Sequence, residues 1–207
     1  MGTAGGCIEG GVLAFDPHVF VSVCLKCIPA GGQALDVLIN CAGVASCAPL
    51  ELTTTEEFQQ VFGVNVFGSA AVTRHFLPLL RASSPSSPSC GGVETGFRRP
   101  RSPRIINMSS LVGRIAIPWA SVYSASKHAV EALSDALRLE LRPQGILVVV
   151  IEPGFVKTAL PGSMWREAQR TLENSRPGPK RLYEVPFLKV SASEGTMLWE
   201  EACEIQR

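Results

Sequence analysis

Asp36-Val37-Leu38-Ile39-Asn40-Cys41-Ala42-Gly43 is a compact apolar run closed by a turn. Its pattern is that of a buried parallel strand, apolar on both faces, whose carboxyl end opens into a loop. In open α/β sheets a ligand is met at that end. Two further runs repeat the pattern: Ile105-Ile106-Asn107-Met108 ends in Ser109-Ser110, and Leu147-Val148-Val149-Val150-Ile151 ends in Glu152-Pro153-Gly154. Between the first two, Thr54 or Thr55 followed by Glu56 and Glu57 supplies a capping hydroxyl and an acidic first turn, so a helix is expected from there to about Leu80. Between the second and third, Val122 to Leu141 has helical period. Strand, helix, strand, helix, strand predicts an α/β fold with a doubly wound parallel sheet.

Outside that segment the chain says less. Of its 207 residues, 19 are basic and 18 acidic, a net charge of +1, so no long-range field selects nucleic acid or an anionic membrane as partner. Residues 1 to 34 are glycine-rich, with Val19 to Leu25 as the strand candidate, a run far shorter than the ~20 residues that span a bilayer. Seven cysteines at scattered spacing, with no secretory leader ahead of them, favour a reducing compartment, and the cytoplasm is the expected location. The Cys24-Leu25-Lys26-Cys27 pair has no second pair or histidine cluster, so no metal site is expected. Residues 83 to 103 are rich in Ser, Pro, Gly and Arg and are expected to form a flexible surface insertion. Its Arg98, Arg99 and Arg101, with Arg104, are read as a solvated run rather than an anion site. After residue 158 a short helix around Met164 to Asn174 and a Pro-Gly-Pro turn at 177 to 179 are expected.

The chemistry sits at the strand ends. Tyr123 and Lys127 lie four apart on a helix, one turn above each other on the same face. A phenol with a reference pKa of about 10 is a poor base at neutral pH, but an ammonium close by favours the phenolate. Ser110, at the end of the preceding strand, can place a hydroxyl on a substrate oxygen as charge develops there. One acid/base, one tuner and one orienting donor suit hydride transfer between an alcohol and a carbonyl. Asn65 recurs with Phe58, Val61, Phe62, Val66 and Ser69 at helical spacing, which puts it on the side of the apolar stripe, an odd place for an amide. His75 and His128 are isolated and read as surface or packing residues. A hydrolase reading of Ser110 fails for want of a GxSxG elbow.

Taken together, Ser110 and Tyr123-Ser124-Ala125-Ser126-Lys127 resemble the active-site signature of the classical short-chain dehydrogenases/reductases. Asn40-Cys41-Ala42-Gly43 resembles that family's NNAG strand end, Asn65 its helix asparagine, and Pro153-Gly154 with Thr158 its PG motif and nicotinamide contact. The resemblance runs from Asp36 to Thr158 apart from the insertion. It implies a Rossmann-type fold, an NAD or NADP coenzyme, and a catalytic set of Asn65, Ser110, Tyr123 and Lys127. Coenzyme contacts are implied from Asn40, Ala42, Gly43, Tyr123, Lys127, Pro153, Gly154 and Thr158. The implied substrate is a small hydrophobic alcohol or carbonyl compound, and Ile151 to Thr158 looks most like the steroid- and retinoid-handling branch.

The family's glycine-rich phosphate turn has no counterpart with the right spacing before Asp36, so the expectation is a single Rossmann-like domain over residues 1–207, incomplete at its amino end. Two function classes follow. One is an NAD(P)-dependent oxidoreductase. The other is a catalytically silent form that pairs with a second copy or a full-length relative through the helices 55–80 and 122–141. Full-length relatives that associate with the endoplasmic reticulum would carry their anchor in the part without a counterpart here.

Overall fold

The computed structural model describes residues 34–84, 102–154 and 159–183. The Val19–Leu25 strand candidate, Cys24 and Cys27, the basic residues Arg98, Arg99 and Arg101, and Thr158 lie outside the described residues. The order is β1 (Val37–Asn40), α1 (Thr55–Phe62), a wide π-turn (Gly63–Gly68), α2 (Ser69–Ala82), β2 (Arg104–Met108), α3 (Ser121–Leu141), β3 (Leu147–Ile151) and α4 (Ala159–Asn174). By their contacts these elements divide into two units. The first holds the described residues up to Ala42, Phe67–Met108 and Val130–Ile151; the second holds Gly43–Val66, Ser109–Ala129 and the described residues from Glu152 on.

In the first unit the strands form a parallel sheet in the order β1-β2-β3, with Ile39 opposite Ile106 and Ile106 opposite Val149. Each strand is followed in sequence by its helical crossover, and steps taken in one direction put both crossovers on one face. Leu38, Ile105 and Val148 from that face meet Val72, Phe76 and Leu80 of α2 and Leu141 at the end of α3, all buried. The expectation of strands buried on both faces is corrected here, because burial alternates along β1 and β2. On the opposite face Leu147, Val149 and Ile151 are 48%, 39% and 42% exposed. Arg104, read with the basic loop, is the first residue of β2 and half-buried. Gly145 ends the turn after α3 at φ 70, a left-handed backbone that glycine adopts without a Cβ penalty.

The helical side of this sheet also holds a polar chain. Asn40 Nδ2 donates to Thr73 Oγ1 at 2.9 Å and to Asn107 Oδ1 at 2.8 Å. Asn107 Nδ2 donates to Ser134 Oγ at 2.8 Å, and Ser134 donates to the Val130 carbonyl at 2.6 Å. All four side chains are buried. The two strand asparagines therefore tie neighbouring strands to each other and to both helices. The side chain of Asn40, expected at the coenzyme, is directed into this frame.

In the second unit α1 begins with a capping box: Glu57 N–H donates to Thr54 Oγ1 at 3.2 Å, and Thr54 N–H donates to Glu57 Oε2 at 2.8 Å. The helix expected to about Leu80 runs without a break from Thr55 to Ala82, π-wound at Gly63–Gly68 between α1 and α2. Helix α4 runs longer than expected, from Ala159 to Asn174. Residues 177–183 are helical where a Pro-Gly-Pro turn was expected. Prolines fit a first helical turn, whose N–H groups have no intrahelical acceptor. No described helix is long and apolar enough to cross a membrane.

Replacing Asn107 by alanine removes two buried hydrogen bonds and strands polar atoms of Asn40 and Ser134. A loss of about 2 kcal/mol is expected, with the unfolding slope unchanged, measured by urea denaturation followed by circular dichroism. A change within ±0.5 kcal/mol would mean that the chain of amides contributes nothing to stability.

Candidate active site

Asn65 is placed by the π-turn. A π-turn adds a residue to the helical circuit, and such turns recur at functional sites. Here it buries the Asn65 side chain to 1% exposure. Its Oδ1 accepts from Val44 N–H at 2.9 Å, while its Nδ2 donates to the Val44 carbonyl at 2.8 Å and to Ser126 Oγ at 2.9 Å. Ser126 Oγ donates in turn to the Tyr123 carbonyl at 2.7 Å. The amide on the apolar stripe thus clips the loop after β1 to the helix that carries Tyr123 and Lys127. Ser126 was not singled out from the sequence, although it lies inside the Tyr123–Lys127 stretch and one turn on from Tyr123.

Ser110 is extended, with φ −163, and caps the short turn Leu111–Gly113, its Oγ accepting from Val112 N–H at 3.4 Å. Its hydroxyl is also hydrogen-bonded to the phenol of Tyr123. The Lys127 ammonium lies 5.7 Å from the Tyr123 ring centroid, over the face of the ring. Lys127 is only 5% exposed. A Cβ on Gly43 would come within 3.4 Å of Asn65 Oδ1 and 3.6 Å of Lys127 Nζ, so any side chain longer than a methyl would crowd the ammonium. Gly43, Asn65, Ser110, Tyr123 and Lys127 all fall within the second unit.

The loops that carry this set are braced. Leu111 N–H donates to the Pro153 carbonyl at 3.0 Å, and Arg114 reaches Glu152 Oε1 with Nε at 3.0 Å and Nη2 at 2.8 Å. This bracing joins Pro153 to the turn after Ser110. At Gly154 an added Cβ would touch nothing within 4 Å, so crowding does not require glycine there. Asn40 and Ala42 belong to the first unit. His128 Nδ1 lies 2.9 Å from the Ser124 carbonyl, and the His75 ring meets Phe76 edge-on, so both act in local packing.

The electrostatics correct one expectation. Burial raises the Tyr123 phenol above its ordinary value of 10, and the Ser110 hydrogen bond pulls it partly back. The ammonium stands over the ring, 5.7 Å from its centroid, and burial is the larger influence on the phenol. Tyr123 is therefore a neutral hydroxyl, a proton donor, at physiological pH. Cys47 is buried and its thiol is pushed up to about 12 from 9.0 by desolvation alone, whereas Cys41 is exposed.

Comparison with known proteins follows this geometry. The short chain dehydrogenase family matches residues 21–169, well over half of the chain. An NADPH-dependent 3-dehydrocapnine reductase of Ornithobacterium rhinotracheale is 42% identical over 132 residues, 64% of this chain and 42% of the reductase. The mitochondrial D-beta-hydroxybutyrate dehydrogenase of Rattus norvegicus is 38% identical over 117 residues, 56% of this chain and 29% of the enzyme. A solved protein of Beutenbergia cavernae, described as an NAD(P)-dependent gluconate 5-dehydrogenase and holding NADP at low occupancy, superposes with a TM-score of 0.52 at 28% identity. It covers 67% of this chain and 49% of its own. A short-chain dehydrogenase/reductase of Burkholderia phymatum in complex with NAD shares the fold, with a TM-score of 0.56 over 79% of this chain and 52% of its own. The chain spans less than half the length of the curated relatives named here.

The chain has two tyrosines, so Tyr183→Phe leaves Tyr123 as the only phenol. Its tyrosinate absorbance should rise with a single midpoint above 10, and Ser110→Ala should move that midpoint higher, because the lost hydrogen bond favoured the phenolate. Since the folded value lies above the unfolded one, the stability this phenol contributes is complete below pH ~10 and falls as pH rises through the folded value. A midpoint below 10, or a downward shift in Ser110→Ala, would contradict the assignment.

Proposed function

Because the chain belongs to the short-chain dehydrogenase family, we propose that it is an NAD(P)-dependent oxidoreductase interconverting an alcohol and a ketone or aldehyde on an apolar substrate. The observation that carries this reading is the Ser110–Tyr123 hydrogen bond with the buried Lys127 ammonium over the same ring. A neutral phenol held by a serine hydroxyl can give its proton to a carbonyl oxygen, and Ser110 can donate to the same oxygen as negative charge grows on it. Lys127 offsets the phenolate left behind, and its ammonium replaces the proton through the polar groups around it. Asn65 holds the loop after β1 and, through Ser126, the helix that carries both residues.

A buried ammonium facing a glycine that leaves room beside it fits the nicotinamide ribose of NAD or NADP, whose hydroxyls need a donor in a close-fitting cradle. Tyr123, Lys127 and Gly43, with Ala42, Pro153, Gly154 and Thr158 by family position, are the residues we assign to that coenzyme, while the Asn40 side chain serves the strand frame. When bound, it supplies or accepts the hydride. A cytoplasmic location belongs to the same reading and is supported by the scattered cysteines.

A second reading is favoured by the apolar sheet face of Leu147, Val149 and Ile151. Exposed patches of this kind mark interaction surfaces. The chain then acts as a catalytically silent partner of a second copy or of a longer relative.

Calorimetric titration of the purified chain with NADH and NADPH separates the two. Saturable binding together with coenzyme consumption over a panel of ketones and aldehydes is expected for the enzyme. Tyr123→Phe should lower turnover by about 100-fold or more while leaving coenzyme binding in place. No binding of either coenzyme, with a dehydrogenase co-purifying, would establish the silent partner instead.

A further inference from the structure

Arg166, Arg170 and Asn174 stand four residues apart on α4, one stripe along a single helix face. Ala168 and Leu172 fall on the other side of the helix and are buried with Cys47. The stripe lines a cleft of about 600 Å³ whose opposite wall holds Thr54 and Glu57, at the start of α1. That volume falls within the range of small-molecule sites, roughly 300–1,000 Å³.

The charges in the cleft are unbalanced. Two like charges one turn apart on a helix repel, and an anion beside them would offset this. Neither guanidinium has an ion pair or a side-chain hydrogen bond among the described residues. Glu57 is the carboxylate among the lining residues, and both its oxygens are engaged. Its Oε2 accepts from Thr54 N–H at 2.8 Å and its Oε1 from Thr171 Oγ1 at 3.4 Å. Glu173, farther along α4, accepts from Gln169 Nε2 at 2.9 Å. Asn174 makes no side-chain hydrogen bond among the described residues, and Thr54 Oγ1 accepts from Glu57 N–H without donating its own proton there. Two guanidinium forks, an amide and a hydroxyl therefore face the cleft as uncommitted donors. The N–H groups at the start of α1 add little, because a capping box already closes that end.

Such an excess of donors selects a ligand that brings acceptors and negative charge. A carboxylate brings two oxygens. A phosphate monoester brings three terminal oxygens and a charge of about −1.5 to −2 at neutral pH, and guanidinium forks match it bidentately.

We propose that the cleft between α1 and α4 binds the phosphate group of a small phosphorylated molecule, held between Arg166 and Arg170. None of Gly43, Asn65, Ser110, Tyr123 and Lys127 lines it, so it is a second site, and it stands whether or not the chain transfers hydride.

The test titrates the full chain, without coenzyme, with potassium phosphate at neutral pH and at an ionic strength held constant with potassium chloride. Binding is read by calorimetry and by broadening of the phosphorus NMR line. Phenyl phosphate and malonate serve as a monoester and a dicarboxylate. Saturable binding of phosphate and phenyl phosphate is expected, with malonate weaker. Arg166→Gln combined with Arg170→Gln should weaken phosphate by about tenfold or more, the scale of one lost charge-assisted hydrogen bond. Arg170→Gln alone should weaken it in the same direction by less. Arg176→Gln, at an exposed arginine outside the cleft, should leave it unchanged. Unchanged affinity in the Arg166 and Arg170 variants, or no saturable phosphate binding to wild type, would overturn the site. Equal weakening by Arg176→Gln would also overturn it, by showing a diffuse basic face. Malonate bound as tightly as phosphate would overturn the phosphate assignment.

Discussion

The clip between Asn65 and the Val44 backbone is the interaction on which the candidate site depends. A side-chain amide that both accepts from the N–H and donates to the carbonyl of one residue mimics a rung of β-ladder, and it fixes a loop that has no strand partner of its own. The same amide donates to Ser126, so the position of the Tyr123 carbonyl, one turn back, follows from it. The helix is π-wound between Gly63 and Gly68, the stretch that carries Asn65. A hydrophobic residue at 65 would fill the space but leave the Val44 N–H and carbonyl without partners, and the cost of such orphaned groups exceeds the gain from burying a methyl or two.

Burial sets the direction of the proton chemistry. Moving a phenol out of water disfavours its charged form, and for Tyr123 that effect is the largest one. The consequence is a tyrosine that holds its proton, suited to giving it up only when a developing alkoxide makes the transfer favourable. Ser110 modulates this from the other side, because the hydroxyl that hydrogen-bonds the phenol is also the one positioned to share the substrate oxygen. Lys127 is buried beside Gly43, where a Cβ would stand in contact with the ammonium at 3.6 Å.

Much of this could be seen in the sequence, for a physical reason. Strand cores such as Ile105-Ile106-Asn107-Met108 are local apolar runs, and their ends are punctuated by residues that terminate strands, so Ser110 and Pro153 could be placed without any knowledge of tertiary contacts. The pairing of Tyr123 with Lys127 depends only on helical period. Asn65 was suspect because an amide does not belong on an apolar stripe, and the same signal was present, unused, at Thr73 and Ser134, hydroxyls on helix faces that turned out to meet strand asparagines. What could not be read locally was environment. The raised phenol depends on burial, the one-sided sheet on which elements cover it, and the π-turn on a trade between helix geometry and the Val44 backbone. Pro177-Gly178-Pro179 misled because proline ends a helix in its interior but is welcome in its first turn.

Two residues share nearly the same backbone angle, and the contrast between them shows what side-chain packing can impose on a turn. Gly145, at φ 70, turns the chain from α3 into β3, and glycine is there because the turn demands a left-handed residue and asks nothing of a side chain. Trp119, at φ 67, meets the same backbone demand with the largest side chain available. Had the turn alone mattered, glycine or asparagine would satisfy it at lower cost. The indole is held where it stands by the edge-on Tyr183 ring and the buried Cys47, Ala168 and Leu172, and contacts of that kind are what sustain a strained backbone.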